Sequence, residues 1–137
     1  MPPRYLLDTN ILSDLVRNPQ GRIASRIARI GEKGVCTSIV VAAELRYGAA
    51  KQGSARLSSQ LETILRVLEI LPLETPVDEV YGKLRADLER KGQIIGGNDL
   101  LIAAHTLALG HTIVTDNVRE FSRIRSLSVE NWLRSGS

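Results

Sequence analysis

Four acidic residues lie inside or beside segments whose composition predicts burial. Asp8 ends the apolar run Tyr-Leu-Leu, and Asp116 ends Thr-Ile-Val-Thr. Glu44 lies within Val-Val-Ala-Ala-Glu-Leu, and Asp99 within Gly-Gly-Asn-Asp-Leu-Leu-Ile. Acidic side chains are rarely buried unless they are paired or bind a metal ion. A shared divalent cation is the simplest explanation for four such carboxylates.

The chemistry of these acids indicates the kind of ion. Carboxylates held close together raise one another's pKa, and a divalent cation reverses that balance. Oxygen ligands favour Mg²⁺, with Mn²⁺ as a substitute, over zinc, because the chain has one cysteine and two histidines. Such an ion makes a bound water acidic enough to attack phosphorus and offsets charge on the departing oxygen. We therefore predict phosphodiester hydrolysis, although an aspartate such as Asp99 is also common in a first helical turn.

The length and composition favour one compact domain. A chain of 137 residues can bury a sizeable core without disulfides, so we assign residues 1–133 to a single domain and 134–137 to a frayed C-terminal tail. The lone Cys36 excludes an internal disulfide and fits a reducing cytoplasm. No apolar run approaches the roughly 20 residues of a membrane span. We expect a cytoplasmic protein without a membrane association.

The charge is compatible with a nucleic-acid partner. The formal net charge is +3, and arginines crowd the first half of the chain, where a rim of them could hold a polyanion by its phosphates. Arg46, close to Glu44, and Arg85 could contact the scissile phosphate. Each could equally form a surface ion pair.

Short strands and helices alternate along the chain and must position the acids. We predict strands at residues 4–8, 35–37, 70–73, 111–115 and 129–133, and helices at residues 11–18, 20–30, 39–47, 55–68, 76–91 and 99–109. Ser38 and Asn98 are predicted caps. This order predicts an α/β sandwich around a mainly parallel sheet, whose ligands bind beyond the carboxyl ends of the strands. Asp8 and Asp116 belong to that edge.

Four segments together resemble a known family. They are Leu7-Asp8-Thr9-Asn10-Ile11-Leu12, Ala43-Glu44-Leu45-Arg46-Tyr47-Gly48, Ile95-Gly96-Gly97-Asn98-Asp99-Leu100-Leu101-Ile102-Ala103-Ala104-His105 and Val114-Thr115-Asp116-Asn117. In this order they resemble PIN-domain ribonucleases, and more narrowly the VapC toxins of bacterial type II toxin–antitoxin systems. The resemblance implies a PIN-like three-layer sandwich, with a mainly parallel central sheet of four to five short strands flanked by helices.

The resemblance also implies roles for the acids. Asp8, Glu44 and Asp99 are expected to be the central metal-binding and catalytic acids, and Asp116 to hold the metal directly or through water. Some relatives carry a further acid where this chain has Asn117. A second ion is therefore in question, although Glu120 could contribute.

Neighbouring polar residues are expected to position substrate or ligands. Thr9 and Thr115 have hydroxyls that could orient a carboxylate or water. Asn10 and Asn117 should flank the same cleft, although Asn10 could instead cap its helix, which is the favoured interpretation. His105, in the middle of an apolar helix, is expected to be a structural histidine.

The family resemblance implies partners as well as an activity. It implies a Mg²⁺-dependent endoribonuclease toxin that cuts transfer or ribosomal RNA and is neutralised by a cognate VapB-type antitoxin. The antitoxin's extended C-terminal segment would cross a helical groove and reach the active site. A homodimer, a hetero-oligomer with antitoxin and operator-DNA binding through the antitoxin are also implied. Ile27, Leu57, Leu61 and Leu65 could line such a groove or pack in the core.

Two other functions fit parts of the pattern. A catalytically silent PIN-like module would bind RNA or a protein without cutting it. A phosphoryl-transfer enzyme could use Asp8 as nucleophile, but the companion acid expected two residues later is Asn10, and no Gly-Lys-Ser/Thr phosphate loop exists. The acid set favours the nuclease over both.

Overall fold

The structure, a computed structural model, describes residues 3–134. Its strands are β1 (Tyr5–Leu7), β2 (Val35–Ser38), β3 (Ile70–Leu71), β4 (Thr112–Val114) and β5 (Ser128–Glu130). Its α-helices are α1 (Thr9–Arg17), α2 (Arg22–Ile30), α3 (Ile39–Gln52), α4 (Ala55–Val67), α5 (Val77–Arg90), α6 (Gly97–Leu109) and α7 (Val118–Phe121). The predicted α/β class is confirmed.

The five strands form one parallel sheet in the order β3-β2-β1-β4-β5. The chain builds from β1 outward through β2 to β3, then crosses back to β4 and β5. Because parallel crossovers are right-handed, reversing the direction of winding places the later helices on the opposite face of the sheet. Helices α1 to α4 pack against one another, and α5 packs against α6. This is the expected sandwich of a central sheet flanked by helices.

The core is built from the two central strands and the helices that follow them. Leu6 and Leu7 of β1 and Ile113 and Val114 of β4 are completely buried. Each such side chain contributes about 1.5–3 kcal/mol through burial. Helix α6 is apolar on most sides, and Ile102 at its centre is also completely buried. The core therefore fixes both the strand ends and the helix that carry the acids.

Helix α3 confirms one predicted boundary and corrects the other. Ser38 caps it, since Ser38 Oγ accepts a 3.1 Å hydrogen bond from the backbone N–H of Val40. The prediction that α3 ends near Tyr47 is wrong: it continues through Gly48 to Gln52. Gly53, with φ of 67°, provides the left-handed residue that ends it. From the sequence, either Gly48 or Gly53 could mark the bend before the next helix, and the structure places it at Gly53.

The C-terminal part differs most from the predicted elements. The four-residue helix α7 was not predicted, because so short a segment carries too little periodicity. The last strand was predicted over residues 129–133 but spans Ser128–Glu130. The chain leaves the sheet at Asn131 and runs beside the active-site edge. Residues 135–137 of the predicted tail lie outside the described residues. Across the described part of the chain, none of the helices has the length and apolar composition needed to cross a membrane.

Candidate active site

The candidate site lies where the winding of the sheet reverses. β1 and β4 are neighbours, yet the chain leaves them toward opposite edges. Such a switch point opens a crevice beyond the carboxyl ends of the two strands. Asp8 directly follows β1, and Thr115 and Asp116 directly follow β4. The backbone N–H of Asp8 donates to the carbonyl of Val114 over 2.9 Å, which joins the two strand ends.

Asp8 is the most deeply buried of the four acids, with 3% of its surface exposed. Thr115 Oγ1 donates a 2.7 Å hydrogen bond to Asp8 Oδ2. The other oxygen, Oδ1, is buried without a hydrogen-bond partner among the described residues. Burial raises the pKa of Asp8, and the Thr115 hydroxyl opposes that rise. A buried carboxylate oxygen with no donor is unfavourable, so this position calls for a cation or a proton.

Glu44 is fixed by donors from two other helices. Thr9 Oγ1, in the first turn of α1, donates to Glu44 Oε1 over 2.6 Å. Asn98 Nδ2, in the first turn of α6, donates to Glu44 Oε2 over 3.2 Å. The prediction that Asn98 caps α6 is wrong, because the cap residue is Gly96. Asn98 instead orients a site acid, a role that local cap preferences do not reveal.

Asp99 shows that the carboxylates are close enough to repel one another. Its pKa is raised to about 6, first by burial and then by the charges of Asp8, Glu120 and Glu44. Asn117 Nδ2 lies 3.5 Å from Asp99 Oδ2 and opposes this rise. Two helices and one strand end therefore bring acids from distant parts of the chain within range of one another's charge.

Asp116 is held from both sides of the site. Asn131 Nδ2 donates to Asp116 Oδ1 over 2.9 Å, and Arg134 Nε lies 3.4 Å from the same oxygen. The backbone N–H of Asp116 donates to Asn10 Oδ1 over 2.9 Å. The favoured interpretation of Asn10 as a helix cap is therefore wrong: Asp8 occupies the cap position of α1, and Asn10 ties that helix to β4.

Glu120 connects α7 to the glycine loop before Asp99. The backbone N–H of Gly96 donates to Glu120 Oε1 over 3.0 Å, and Asn117 Nδ2 donates to Oε2 over 2.7 Å. These two donors lower the pKa of Glu120. The carboxylate lies at the start of α6, where negative charge interacts favourably with the helix dipole. The sequence indicated Glu120 only as a possible contributor to a second metal ion, and its contact with the start of α6 was not predicted.

The two arginines nominated from the sequence have partners outside the acidic centre. Arg46 forms an ion pair with Glu62 of α4. Arg85 contacts Tyr81 Oη and Glu89 along its own helix. Their contact with substrate phosphate remains a prediction. The arginine that the structure brings to a site acid is Arg134, which the sequence assigned to the tail.

The carboxylate oxygens of these acids are the kind of ligand that a hard divalent cation prefers. Within residues 3–134, no three His, Cys, Asp or Glu side chains are arranged so that they could hold a metal ion. The carboxylates would have to turn toward one another to share one. Two observations favour a cation at this position: the unpartnered Oδ1 of Asp8, and the repulsion that raises the pKa of Asp99, which a divalent cation would offset. Ligation by carboxylate oxygens suits Mg²⁺ or Mn²⁺.

A groove leads away from the acids across α1, α3 and α4. It encloses about 250 Å³ and begins at Thr9 and Glu44. Leu57 and Leu61 line its far part. A second groove lined by Ile27 lies between α2 and α4, where Val67 is 65% exposed. Leu61 and Leu65 are both buried in the core, and Leu61 also lines the first groove.

His105 is structural, as its surroundings predicted. It is buried, and its Nδ1 lies 2.9 Å from Ser38 Oγ, the cap of α3. Burial lowers the pKa of His105 and favours the neutral ring. The histidine therefore links α6 to the start of the helix that carries Glu44.

Comparison with known proteins gives concordant results for sequence and fold. A PIN domain model matches residues 5–127. Ribonuclease VapC2 of Rickettsia felis is 39% identical over 130 residues, which cover 93% of this chain and 97% of the relative. The tRNA(fMet)-specific endonuclease VapC of Salmonella typhimurium is 34% identical over 130 residues, which cover 94% and 98% of the two chains.

The fold is similar to that in the crystal structure of VapBC2 from Rickettsia felis bound to a DNA fragment from their promoter. The TM-score is 0.85 at 39% identity, and the match covers 93% of this chain and 98% of that chain. These matches span almost the whole chain and include all four motif segments. The chain therefore belongs to the PIN-domain family, among the VapC ribonucleases.

Proposed function

We propose that the protein is the toxin of a type II toxin–antitoxin system and acts as a Mg²⁺-dependent endoribonuclease. The observation that supports this most strongly is the buried, unpartnered Oδ1 of Asp8. Asp8 also belongs to a group of acids, with Glu44 and Glu120, whose charges raise the pKa of Asp99. An acidic centre of this kind is unfavourable without a cation and chemically suited to one.

Asp8, Glu44 and Asp99 would hold the ion, with Asp116 as a fourth acid. A divalent cation supplies Lewis acidity: it makes a water molecule more acidic and offsets charge that develops on the phosphate. The chain's own contribution is orientation. Thr115 fixes Asp8, and Thr9 fixes Glu44. Burial of the centre strengthens these interactions because it lowers the local dielectric.

The substrate of this activity is RNA in our proposal. The Salmonella relative is named as specific for tRNA(fMet), which makes transfer RNA the first substrate to test, with ribosomal RNA as the second. The acids account for cleavage of a phosphodiester bond and carry no information about base sequence. Selection of one RNA therefore depends on contacts outside the acidic centre.

We further propose control by a VapB-type antitoxin. The groove that starts at Thr9 and Glu44 would accept an extended antitoxin segment that ends at the acids. The solved relative is a VapBC2 complex with promoter DNA, which supports a hetero-oligomer with antitoxin that binds operator DNA. That this binding occurs through the antitoxin, and that the hetero-oligomer is built on a toxin homodimer, are parts of the same proposal. Such a system acts in the cytoplasm.

RNA cleavage by the purified protein tests the proposal. Initiator transfer RNA is incubated with protein in EDTA, then with Mg²⁺ or Mn²⁺ in excess. We expect cleavage only with metal, and a loss of at least about 100-fold in Asp8→Asn and Asp99→Asn, because each removes a charge from the acidic centre. Asp78→Asn is the matched control, since Asp78 is an exposed aspartate in the first turn of α5.

Three results would contradict the proposal of a metal-dependent nuclease. Cleavage that persists in EDTA, or full activity of Asp8→Asn, would remove the metal centre from the mechanism. Binding of RNA without cleavage under every metal condition, with ribosomal RNA also uncut, would favour the catalytically silent PIN-like module.

A further inference from the structure

The C-terminal segment after β5 is packed in a defined position at the active-site edge. Trp132 is 2% exposed, and its ring lies 5.2 Å from the ring of Tyr5 and 5.1 Å from the Arg26 guanidinium carbon. The Leu133 carbonyl accepts a 3.0 Å hydrogen bond from Arg22. These contacts anchor the chain immediately before Arg134. The position of Arg134 is thus set by the core and by α2.

Two side chains of this segment meet Asp116. Asn131 Nδ2 donates to Asp116 Oδ1, and Arg134 Nε lies 3.4 Å from the same oxygen. Asn131 Oδ1 in turn accepts a 2.9 Å hydrogen bond from the backbone N–H of Leu133. Asn131 therefore holds both the acid and the turn that presents the guanidinium.

The ion pair between Arg134 and Asp116 contributes little to the stability of the fold. The side chains of Arg134 and Asp116 are 74% and 39% exposed, and an exposed pair contributes about 0–1 kcal/mol. The pair's location is more informative, since a phosphodiester must approach the acids against their negative charge. A solvent-accessible guanidinium at this edge can attract that phosphate and donate hydrogen bonds to it.

We propose that Arg134 is a substrate-binding residue that contacts an RNA phosphate on the Asp116 side of the active site. Asp116 and Asn131 orient its guanidinium before RNA arrives. The inference rests on the proposed function, since it assumes that RNA enters this crevice. It also gives Asp116 a role in orienting an arginine, alongside any role toward a metal ion.

The salt dependence of RNA binding tests this contact. The cleavage-deficient Asp8→Asn protein is titrated into a fluorescein-labelled, single-stranded RNA of mixed sequence, and anisotropy gives Kd at several KCl concentrations. The binding constant K falls as salt rises, and loss of one phosphate contact should make the slope of log K against log salt less steep by about 0.7. We expect this change for Arg134→Gln, together with a Kd that is raised about 3- to 10-fold at low salt. A change in folding alone does not produce it.

Three further variants separate the effects of charge, of orientation and of general loss of positive charge. Arg134→Lys should keep the slope of the Asp8→Asn parent protein but recover affinity only in part, because it retains the charge without the planar fork. Asn131→Ala should weaken binding in the parent protein and have no further effect beside Arg134→Gln, as expected if both act through one contact. Arg125→Gln is the matched control, since Arg125 is an exposed arginine that lies before β5 and outside this segment.

The outcomes for binding and cleavage are distinguishable. If Arg134→Gln and Arg125→Gln have equal slopes while the wild-type protein cuts RNA, this inference is wrong and the nuclease stands. If the slope changes but the wild-type protein cuts no RNA with any metal, the contact stands and the proposed activity fails. A parent protein that binds no RNA at any salt concentration contradicts both.

Discussion

Thr115 Oγ1 donates a 2.7 Å hydrogen bond to Asp8 Oδ2 and accepts a 3.0 Å bond from the backbone N–H of Asn117. The threonine thus fixes one oxygen of the most buried acid, while the other oxygen has no hydrogen-bond partner in the described structure. Two adjacent strand ends thereby give the two oxygens of this carboxylate different surroundings.

Replacing this hydroxyl should destabilise the protein. Thr115→Val keeps the shape but leaves Asp8 Oδ2 and the Asn117 amide without a partner, so we expect the free energy of unfolding to fall by about 2 kcal/mol near neutral pH. Because the bond lowers the pKa of Asp8, the loss should shrink in acid, where Asp8 is protonated. Urea unfolding measures both effects. Thr115→Ser keeps the hydroxyl, and an equal loss in that variant would contradict this explanation.

Asp99 should make the metal-free protein less stable as the pH rises. Its folded pKa of about 6 lies above the ordinary 3.8, so its contribution to stability is complete below 3.8 and is lost as the pH passes 6. Asp99→Asn does not titrate and should be about 1 kcal/mol more stable than wild type at pH 7.5, after allowance for solvent screening.

Urea unfolding in EDTA at pH 4 and pH 7.5 checks this prediction. The advantage of Asp99→Asn should appear at the higher pH and vanish at the lower one. Asp78→Asn, at an exposed site, should show neither change. A wild-type protein that is the more stable of the two at pH 7.5 would show that the acids do not repel one another.

His105 should couple pH to the stability of α3. Its pKa is lowered by burial from the ordinary 6.5, so its stabilising contribution is present above 6.5 and lost as the pH falls through the folded value. His105→Leu removes the partner of Ser38 Oγ and should cost about 1–2 kcal/mol at pH 7.5. The difference from wild type should narrow at pH 5, because only wild type must keep a buried ring neutral. In urea titrations His105→Gln, which can still bond Ser38, should lose less; a gap that widens in acid contradicts the assignment.

Glu120 should stabilise the start of α6. Glu120→Ala leaves the Gly96 N–H without its acceptor, which should lower the free energy of unfolding by about 1 kcal/mol. Since the pKa of Glu120 is lowered from 4.5, the effect should decline as the pH falls below that value. Hydrogen exchange at the Gly96 amide gives a local measurement, which should quicken in Glu120→Ala and less in Glu120→Gln. Glu32→Ala, at an exposed position, should leave that amide unchanged.

The sequence was informative where local pattern determines structure. The apolar run of α6 and the short strand before Asp8 predict burial directly, and the parallel order of strands then places Asp8 and Asp116 at one edge. Asn10 and Asn98 were misassigned because cap preferences are local, whereas their partners, Asp116 and Glu44, come from distant elements.

The contacts of the C-terminal segment could not be predicted from the local sequence either. Arg134 follows the last strand and has no periodic neighbour that predicts order. Its position depends on the burial of Trp132 and on the Arg22 bond to the Leu133 carbonyl. Such a placement appears only when the sheet has formed and α2 packs beside its last strand.

A divalent ion bound by the acids is the central claim, and anomalous diffraction from crystals grown with Mn²⁺ tests it most directly. We predict an anomalous peak about 2.0–2.3 Å from Asp8 Oδ1, close to Asp99 and Glu44 and absent in Asp8→Asn. Wild-type crystals in saturating Mn²⁺ that show no peak at this position, or a peak that persists in Asp8→Asn, would contradict the account.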